Sequence, residues 1–310
     1  MSNQAISQSC DIQQFIATRC SEKNYSCRSV IITVFGDTVS QHGGWIWLGS
    51  LIEAIQPLGF SERLIRTSVF RLVQDDWLQV EKIGRKSYYA FTESASQQYR
   101  KAARRIYSNT STNASDGWLL VFPSFVPESQ MQSFKRQLRW LGFSSLASGT
   151  LAHPSIDHTS LQETLEEMNL TNEVIVMQSQ TLDTQSEANL KYLVQERWDV
   201  SELEQQYQSL VEDYSALQLL QANRQNKLDA EKQFLLRTLL VHEYRRLLLK
   251  DHELPKSMLP ENWAGDAAYE LTKALYRGLA EISCRYIEST FQHQSGLLQN
   301  VEPSFNSRFK

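Results

Sequence analysis

Between positions 63 and 74 the chain carries Arg63, Arg66, Thr67, Arg71 and Gln74, and a little further on Lys82, Arg85 and Lys86 gather around Gly84. A guanidinium is a planar fork of donors that can hold two acceptors at once, while hydroxyl and amide groups add single donors and acceptors. Such a set matches a polyanion. Arginine can bond bidentately to guanine or to phosphate, and lysine serves phosphate as a point charge. The chemistry on offer is recognition.

The neighbouring residues say how these groups would be held. Ser61 suits a helix N-cap, and at 100° per residue Leu64, Ile65, Val69, Leu72 and Val73 form one apolar sector of the helix that follows. Arg63, Thr67, Phe70 and Gln74 then point away from that sector, with Arg66 and Arg71 on its flanks. After Trp77, "LQV" and "SYYAF" read as strands joined by the tight "EKIGRK" turn, where Gly84 supplies a permissive backbone. Upstream, "CRSVIITVFGDTVSQHGG" and "WIWLGSLIEAIQPLG" read as two further helices closed by Gly and Pro. Three helices and a basic hairpin in this order predict a winged helix-turn-helix, its third helix entering the major groove of double-stranded DNA and its wing residues Lys82, Arg85 and Lys86 reaching phosphate. An ordinary solvated helix face is the alternative reading. The next stretch, "ESASQQYRKAARRIY", puts Arg100, Lys101, Arg104 and Arg105 on one face, as a backbone rail or as a solvated connecting helix.

Charge is distributed to match. The net charge is −4, yet residues 28–107 hold eleven Lys and Arg against seven Asp and Glu, whereas residues 108–310 hold 18 against 26. A small DNA-facing module attached to acidic domains fits this division. Cys10, Cys20, Cys27 and Cys284 show neither CxxC nor zinc-ligand spacing, so reduced thiols are expected. No apolar run is long enough to span a membrane and the start lacks signal-peptide phases, so a cytoplasmic protein without a membrane partner is expected.

Past the polar linker "SNTSTNASDG" the pattern changes. "WLLVF", the helical row Met131, Phe134, Leu138 and Leu141, two short strands around Gly149, the row Leu161, Leu165 and Met168, and "EVIVMQ" make a βαββαβ order, which predicts a ferredoxin-like sandwich. His153, Asp157 and His158 lie beside Pro154 in a loop pattern, so a loop rather than a metal site is expected there. From about Gln185 the chain reads as helical. "HEYRR" stops short of the zinc-protease pattern, which needs His where this chain has Arg246. His242 and Glu243 therefore read as helix-packing and surface residues. Arg245 and Arg246 beside Tyr244 could hold an anionic ligand, or could simply close a helix C-terminus.

The fold class expected is α+β and multidomain: a polar leader (1–26), the winged helix with its trailing basic helix (27–107), the ferredoxin-like domain (117–182), a helical domain (185–295) and a tail (296–310). "FGD…HGGWIWLGSLI", "GFSERLIRTSVFRLVQDDWL", "IGRKSYYAFT" and the distal "HEYRRLLLKDHELP" stretch, ending "LPKSMLPENWAG", resemble the PaaX-type transcriptional repressors, from about Ser29 to Glu288. The chain departs from the family pattern in carrying His252 where a proline is usual. The resemblance implies repression of genes for phenylacetate breakdown, with release from the operator by phenylacetyl-coenzyme A. It implies no catalysis and no cofactor.

A thioester of that kind is large and polyanionic, and needs cations beside an apolar slot. Tyr244, Arg245 and Arg246, with Trp198 or Trp263 as an aromatic wall, are the candidates the sequence offers. A homodimer is expected because one winged helix reads too few base pairs. An enzyme acting on nucleic acid or thioester, or a protein-binding scaffold, are the competing classes. The former lacks any nucleophile paired with a base in the later domains.

Overall fold

The computed structural model describes residues 12–107, 117–154, 158–222, 229–252 and 254–309. Cys10, Asp157 and most of the polar linker lie outside the described residues. The chain divides into two compact units, the first comprising residues 1–100, 216–243 and 272–310, the second 101–215 and 244–271. The helical region beyond 185 is thus shared between them.

Unit 1 opens with helix α1 (Ile12–Lys23), followed by α2 (Cys27–Asp37), a two-residue strand β1 (Ile46–Trp47), α3 (Leu48–Ile55) and α4 (Glu62–Gln74). Strands β2 (Leu78–Ile83) and β3 (Lys86–Phe91) form a hairpin in register Ile83 to Lys86, and β1 adds antiparallel to the other edge of β3. Gly84 takes φ 60° at the first position of the two-residue turn, a conformation that suits glycine. Val30, Ile31, Val34, Phe35, Leu51, Ile55, Ile65, Val69 and Leu72 are fully or almost fully buried and make the core of this part. Gly36 lets the ring of Tyr99 lie against α2, since a Cβ there would fall 1.9 Å from the ring. The first part of α5 (Glu93–Tyr107) completes this side.

The polar leader expected from the sequence contains α1. Its apolar residues are few, but Ile12 and Ile16 are buried, and so is Arg19, which donates two hydrogen bonds to the Glu243 carboxylate. Tyr25 donates to the same carboxylate, and the Thr33 hydroxyl lies 3.0 Å from His242 Nδ1. Glu243 is therefore a buried acceptor and not the surface residue its sequence context suggests. Helix α10 (Ala230–Leu248) brings these two residues to unit 1.

Helix α11 (Ala264–Thr290) and the last residues converge on Asp37. Its carboxylate accepts from Arg237 Nε at 2.9 Å, from the Tyr276 hydroxyl at 2.9 Å and from Arg308 Nη1 at 2.9 Å. Arg237 and Asp37 are at most 1% exposed. A short hairpin, β8 (Gln292–His293) with β9 (Gly296–Leu297), lies between α11 and the buried Phe305 and Phe309.

Unit 2 is built on β4 (Trp118–Phe122), α6 (Glu128–Trp140), β5 (Ser144–Ala147), β6 (Thr150–His153), α7 (His158–Glu167) and β7 (Ile175–Ser179). The sheet order β5-β6-β4-β7, antiparallel throughout, is that of a ferredoxin-like fold, as the βαββαβ order predicts. Leu119, Val121, Phe134, Leu138, Phe143, Leu161 and Leu165 form one core between sheet and helices. Helix α8 (Thr184–Arg197) and α9 (Val200–Ala222) follow, the latter contributing Tyr207, whose hydroxyl donates to Asp251 at 2.9 Å.

Candidate functional site

Helix α4 is set by its cap and its apolar sector. The Ser61 hydroxyl accepts from the Leu64 amide at 3.3 Å, and Ile65, Ser68, Val69 and Leu72 are buried, with α4 packed on α2. The periodicity also puts Leu64 and Val73 in that sector. Leu64 instead is 46% exposed and Val73 only partly buried, so the contact stripe is narrower than the apolar one.

The narrow stripe leaves Arg63, Arg66, Thr67, Phe70, Arg71 and Gln74 all exposed. They are not equally committed. Arg66 donates to Glu62 one turn earlier, at 2.8 Å, and Thr67 returns its hydroxyl to the Arg63 carbonyl at 2.8 Å. Among the described residues the side chains of Arg63 and Arg71 have no hydrogen-bond or ion-pair partner. Asp75, the acid nearest the helix end, is paired with Arg28. Phe70 stands 61% exposed among these polar groups. Unpaired guanidiniums keep their full donor capacity for a ligand, which an existing ion pair would have to give up.

In the hairpin Lys82 and Arg85 are exposed, without partners among the described residues. Lys86 is half-buried. Its ammonium lies 4.4 Å from the ring centre of Trp47 and donates to Gln292 Oε1 at 2.8 Å, so the β8–β9 hairpin takes up one of the three expected wing cations. Gln294 of the same hairpin donates to Glu81. Nothing in the local pattern of residues 292–297 signals this contact, which joins segments some two hundred positions apart.

Most of the row on α5 is taken up inside unit 2. Lys101 meets Glu167 at 3.0 Å and Thr164 at 3.0 Å, Arg104 meets Ser160 at 3.0 Å, and Arg105 is buried, donating to the Leu248 and Asp251 carbonyls. Lys101 and Arg105 are thereby tied into the fold, while the Arg104 side chain stays 56% exposed. Arg100 lies on the surface, paired loosely with Glu93 at 3.5 Å.

Of the expected ligand residues, Trp198 is buried and lines a cavity in unit 2. Tyr244 and Arg245 are buried, Arg246 is exposed and Trp263 packs edge-on against Tyr207, all outside the lining of that cavity. Helix α10 is buried on all sides from 233 to 245, and Arg246 is the first residue after that run to be exposed. His153 is buried against the Phe143 ring. Among the described residues no group of three or more His, Cys, Asp or Glu could hold a metal ion, Cys20, Cys27 and Cys284 are free thiols, and no helix is long and apolar enough to cross a membrane.

Three family models match the chain in succession: a PaaX-like protein over residues 26–95, a PaaX protein central Cas2-like domain over 111–191, and a PaaX-like protein C-terminal domain over 198–289. The transcriptional repressor PaaX of Escherichia coli (strain K12) is 33% identical over 281 residues, which cover 91% of this chain and 89% of that protein. The chain belongs to the PaaX family. The first family segment contains α4 and the β2–β3 hairpin entire, and the central one contains the ferredoxin-like sheet. Among solved structures, the uncharacterized protein Rv0674 from Mycobacterium tuberculosis is 18% identical, with a TM-score of 0.47 over 83% of this chain and 97% of that one.

Proposed function

We propose that this PaaX-family protein is a sequence-specific DNA-binding repressor of phenylacetate catabolism genes, acting in the cytoplasm, without enzymatic activity of its own. The observation that carries the reading is the outward face of α4, where Arg63 and Arg71 are exposed and unpaired among the described residues, as are Lys82 and Arg85 of the hairpin that follows. In this reading α2, α3 and α4 with the β2–β3 hairpin are a winged helix-turn-helix. Arg63, Arg71, Thr67 and Gln74 address base edges, and Phe70 can meet a thymine methyl. Arg66 joins them once it leaves Glu62, while Lys82, Arg85 and, less freely, Lys86 hold phosphates. The naming of a relative as a transcriptional repressor supports the class of function.

The protein acts as a homodimer through unit 2. Strand β7 lies at the sheet edge, and Ile175, Val176 and Met177 are exposed on both of its faces, which an edge strand tolerates poorly without a partner. Phenylacetyl-coenzyme A releases the dimer from its operator by binding the DNA-incompetent arrangement more tightly. About 3 kcal/mol of such coupling lowers operator affinity about a hundredfold.

Footprinting on the DNA flanking the chain's own gene, with and without the thioester, tests the reading. A protected site that opens with phenylacetyl-coenzyme A and not with free phenylacetate is expected. No protection at moderate salt would refute it, and would favour a scaffold that binds only protein.

A further inference from the structure

Unit 2 contains a cavity of about 690 Å³ between β4, α6, the β5–β6 hairpin and the last turn of α8. That volume falls in the range of small-molecule sites. Its lining is both aromatic and cationic. Phe143 and Trp198 are buried and Phe122 half-buried, while Lys135, Arg139 and Arg197 are exposed and so lie toward the mouth. Among the described residues no Asp or Glu lines it, in a chain that carries more acidic than basic residues overall.

The arrangement is fixed by hydrogen bonds of the lining residues themselves. Trp198 Nε1 donates to the Ser145 carbonyl at 3.3 Å and Arg197 Nη1 to the Leu146 carbonyl at 3.3 Å, so the end of α8 is pinned onto β5. Behind Trp198 the His252 ring lies 4.5 Å away between centres, and its Nδ1 is 3.1 Å from the Ser144 hydroxyl. Lys135 and Arg139 sit one helical turn apart on α6 and have no ion-pair partner among the described residues. Like charges at that spacing repel, which disfavours the helix slightly unless an anion sits between them.

We infer that this cavity is the effector site, taking the aryl-acyl arm of an acyl-coenzyme A thioester against Phe143 and Trp198 and its phosphates at Lys135, Arg139 and Arg197. The inference rests on the proposed thioester effector and adds its location. An aromatic acid alone would fill the apolar side and leave the cations unmatched. Coenzyme A alone would do the reverse. Only a molecule that carries both an aryl group and phosphates satisfies both kinds of lining residue. The site differs from the Tyr244, Arg245 and Arg246 cluster that the sequence suggests.

The test is calorimetric titration of the full chain with phenylacetyl-coenzyme A, coenzyme A and phenylacetate, alongside operator affinity without ligand. The double variant Lys135→Ala with Arg139→Ala changes two side chains at the cavity mouth. It should weaken thioester binding about tenfold or more, leaving ligand-free operator affinity unchanged. Arg246→Ala should bind like the wild type. Phe143→Leu, which keeps an apolar wall, should shrink the preference for phenylacetyl-coenzyme A over coenzyme A. If the thioester releases wild-type protein from DNA and the double variant responds at the same concentration, the cavity is the wrong place although the effector reading survives. Loss of binding in Arg246→Ala alone would equally move the site out of the cavity. If the wild type binds no thioester at all, the effector reading itself fails and takes the site with it.

Discussion

Replacing Asp37 with alanine removes the acceptor shared by two buried guanidiniums. Arg237 is fully buried, Arg308 nearly so, and Tyr276 turns its hydroxyl to the same carboxylate. Losing one partner of a buried pair leaves an uncompensated charge, which costs about 3–5 kcal/mol. Against a typical total of about 5–15 kcal/mol, that is a large fraction of the stability of a domain. Arg308→Ala should cost less, about 2–3 kcal/mol, because Asp37 keeps Arg237 while hydrogen bonds to Asp37, Tyr276 and the Gly36 carbonyl, and the contact with the Phe305 ring, are lost. The two changes share a partner and should not add. The double variant is expected to be about 1–3 kcal/mol less destabilised than the sum, because without Asp37 the second arginine is a burden. Urea titration at pH 7, with hydrogen exchange of the α2 and α10 amides to localise the effect to unit 1, measures all three. An Asp37→Ala penalty below about 1 kcal/mol, or strict additivity, would refute a desolvated charge centre at this position.

Four further outcomes are expected. Arg71→Ala should cost about 1–3 kcal/mol of operator binding and relax specificity at one base pair, whereas Arg85→Ala should weaken all sequences alike and lower the salt slope by about one; competition gel shifts at several salt concentrations separate the two. Glu62→Gln should tighten DNA binding a few-fold, because it removes an anion from the helix proposed to face DNA and frees Arg66 from a pair worth about 0.3–0.5 kcal/mol; unchanged or weaker binding would place the α4 face away from DNA. Met177→Lys on β7 should shift sedimentation toward monomer and weaken operator binding in parallel, whereas a dimer that survives it uses another surface. Burial holds the His252 imidazole down at about 4 from its ordinary 6.5, so the unfolded chain binds its proton first as pH falls. The His252 contribution is therefore fully present above pH 6.5 and is lost toward pH 4, by about 3 kcal/mol at most. A His252 NMR titration with a midpoint near 6.5 in the folded protein would contradict this.

Where the physics is local, the sequence is a sufficient guide. Ser61 caps α4 because its hydroxyl meets an amide three residues on, and Gly84 turns the hairpin because its own φ is positive. The βαββαβ order of unit 2 is readable because each element carries its own period, 2 or 3.6, in its apolar residues. The donor-rich face of α4 follows from the same periodicity. The family resemblance is carried by motifs spread over most of the chain.

What tertiary structure alone decided are the partners of polar and charged groups, since these come from distant positions and leave no local period. Sequence leaves Arg19, Glu243 and Asp37 as unremarkable polar residues, yet Arg19 meets Glu243 across 224 positions, and Asp37 gathers Arg237, Tyr276 and Arg308. The same holds for the cations of α5 and of the β2–β3 hairpin. Lys101, Arg104 and Lys86 look as available as Arg71 and Arg85 until folding brings Glu167, Ser160, Gln292 and the Trp47 ring against them. Composition and spacing determine how many donors a helix presents. Which of them stay free for a ligand is set by desolvation and pairing, quantities that exist only once the chain has closed on itself.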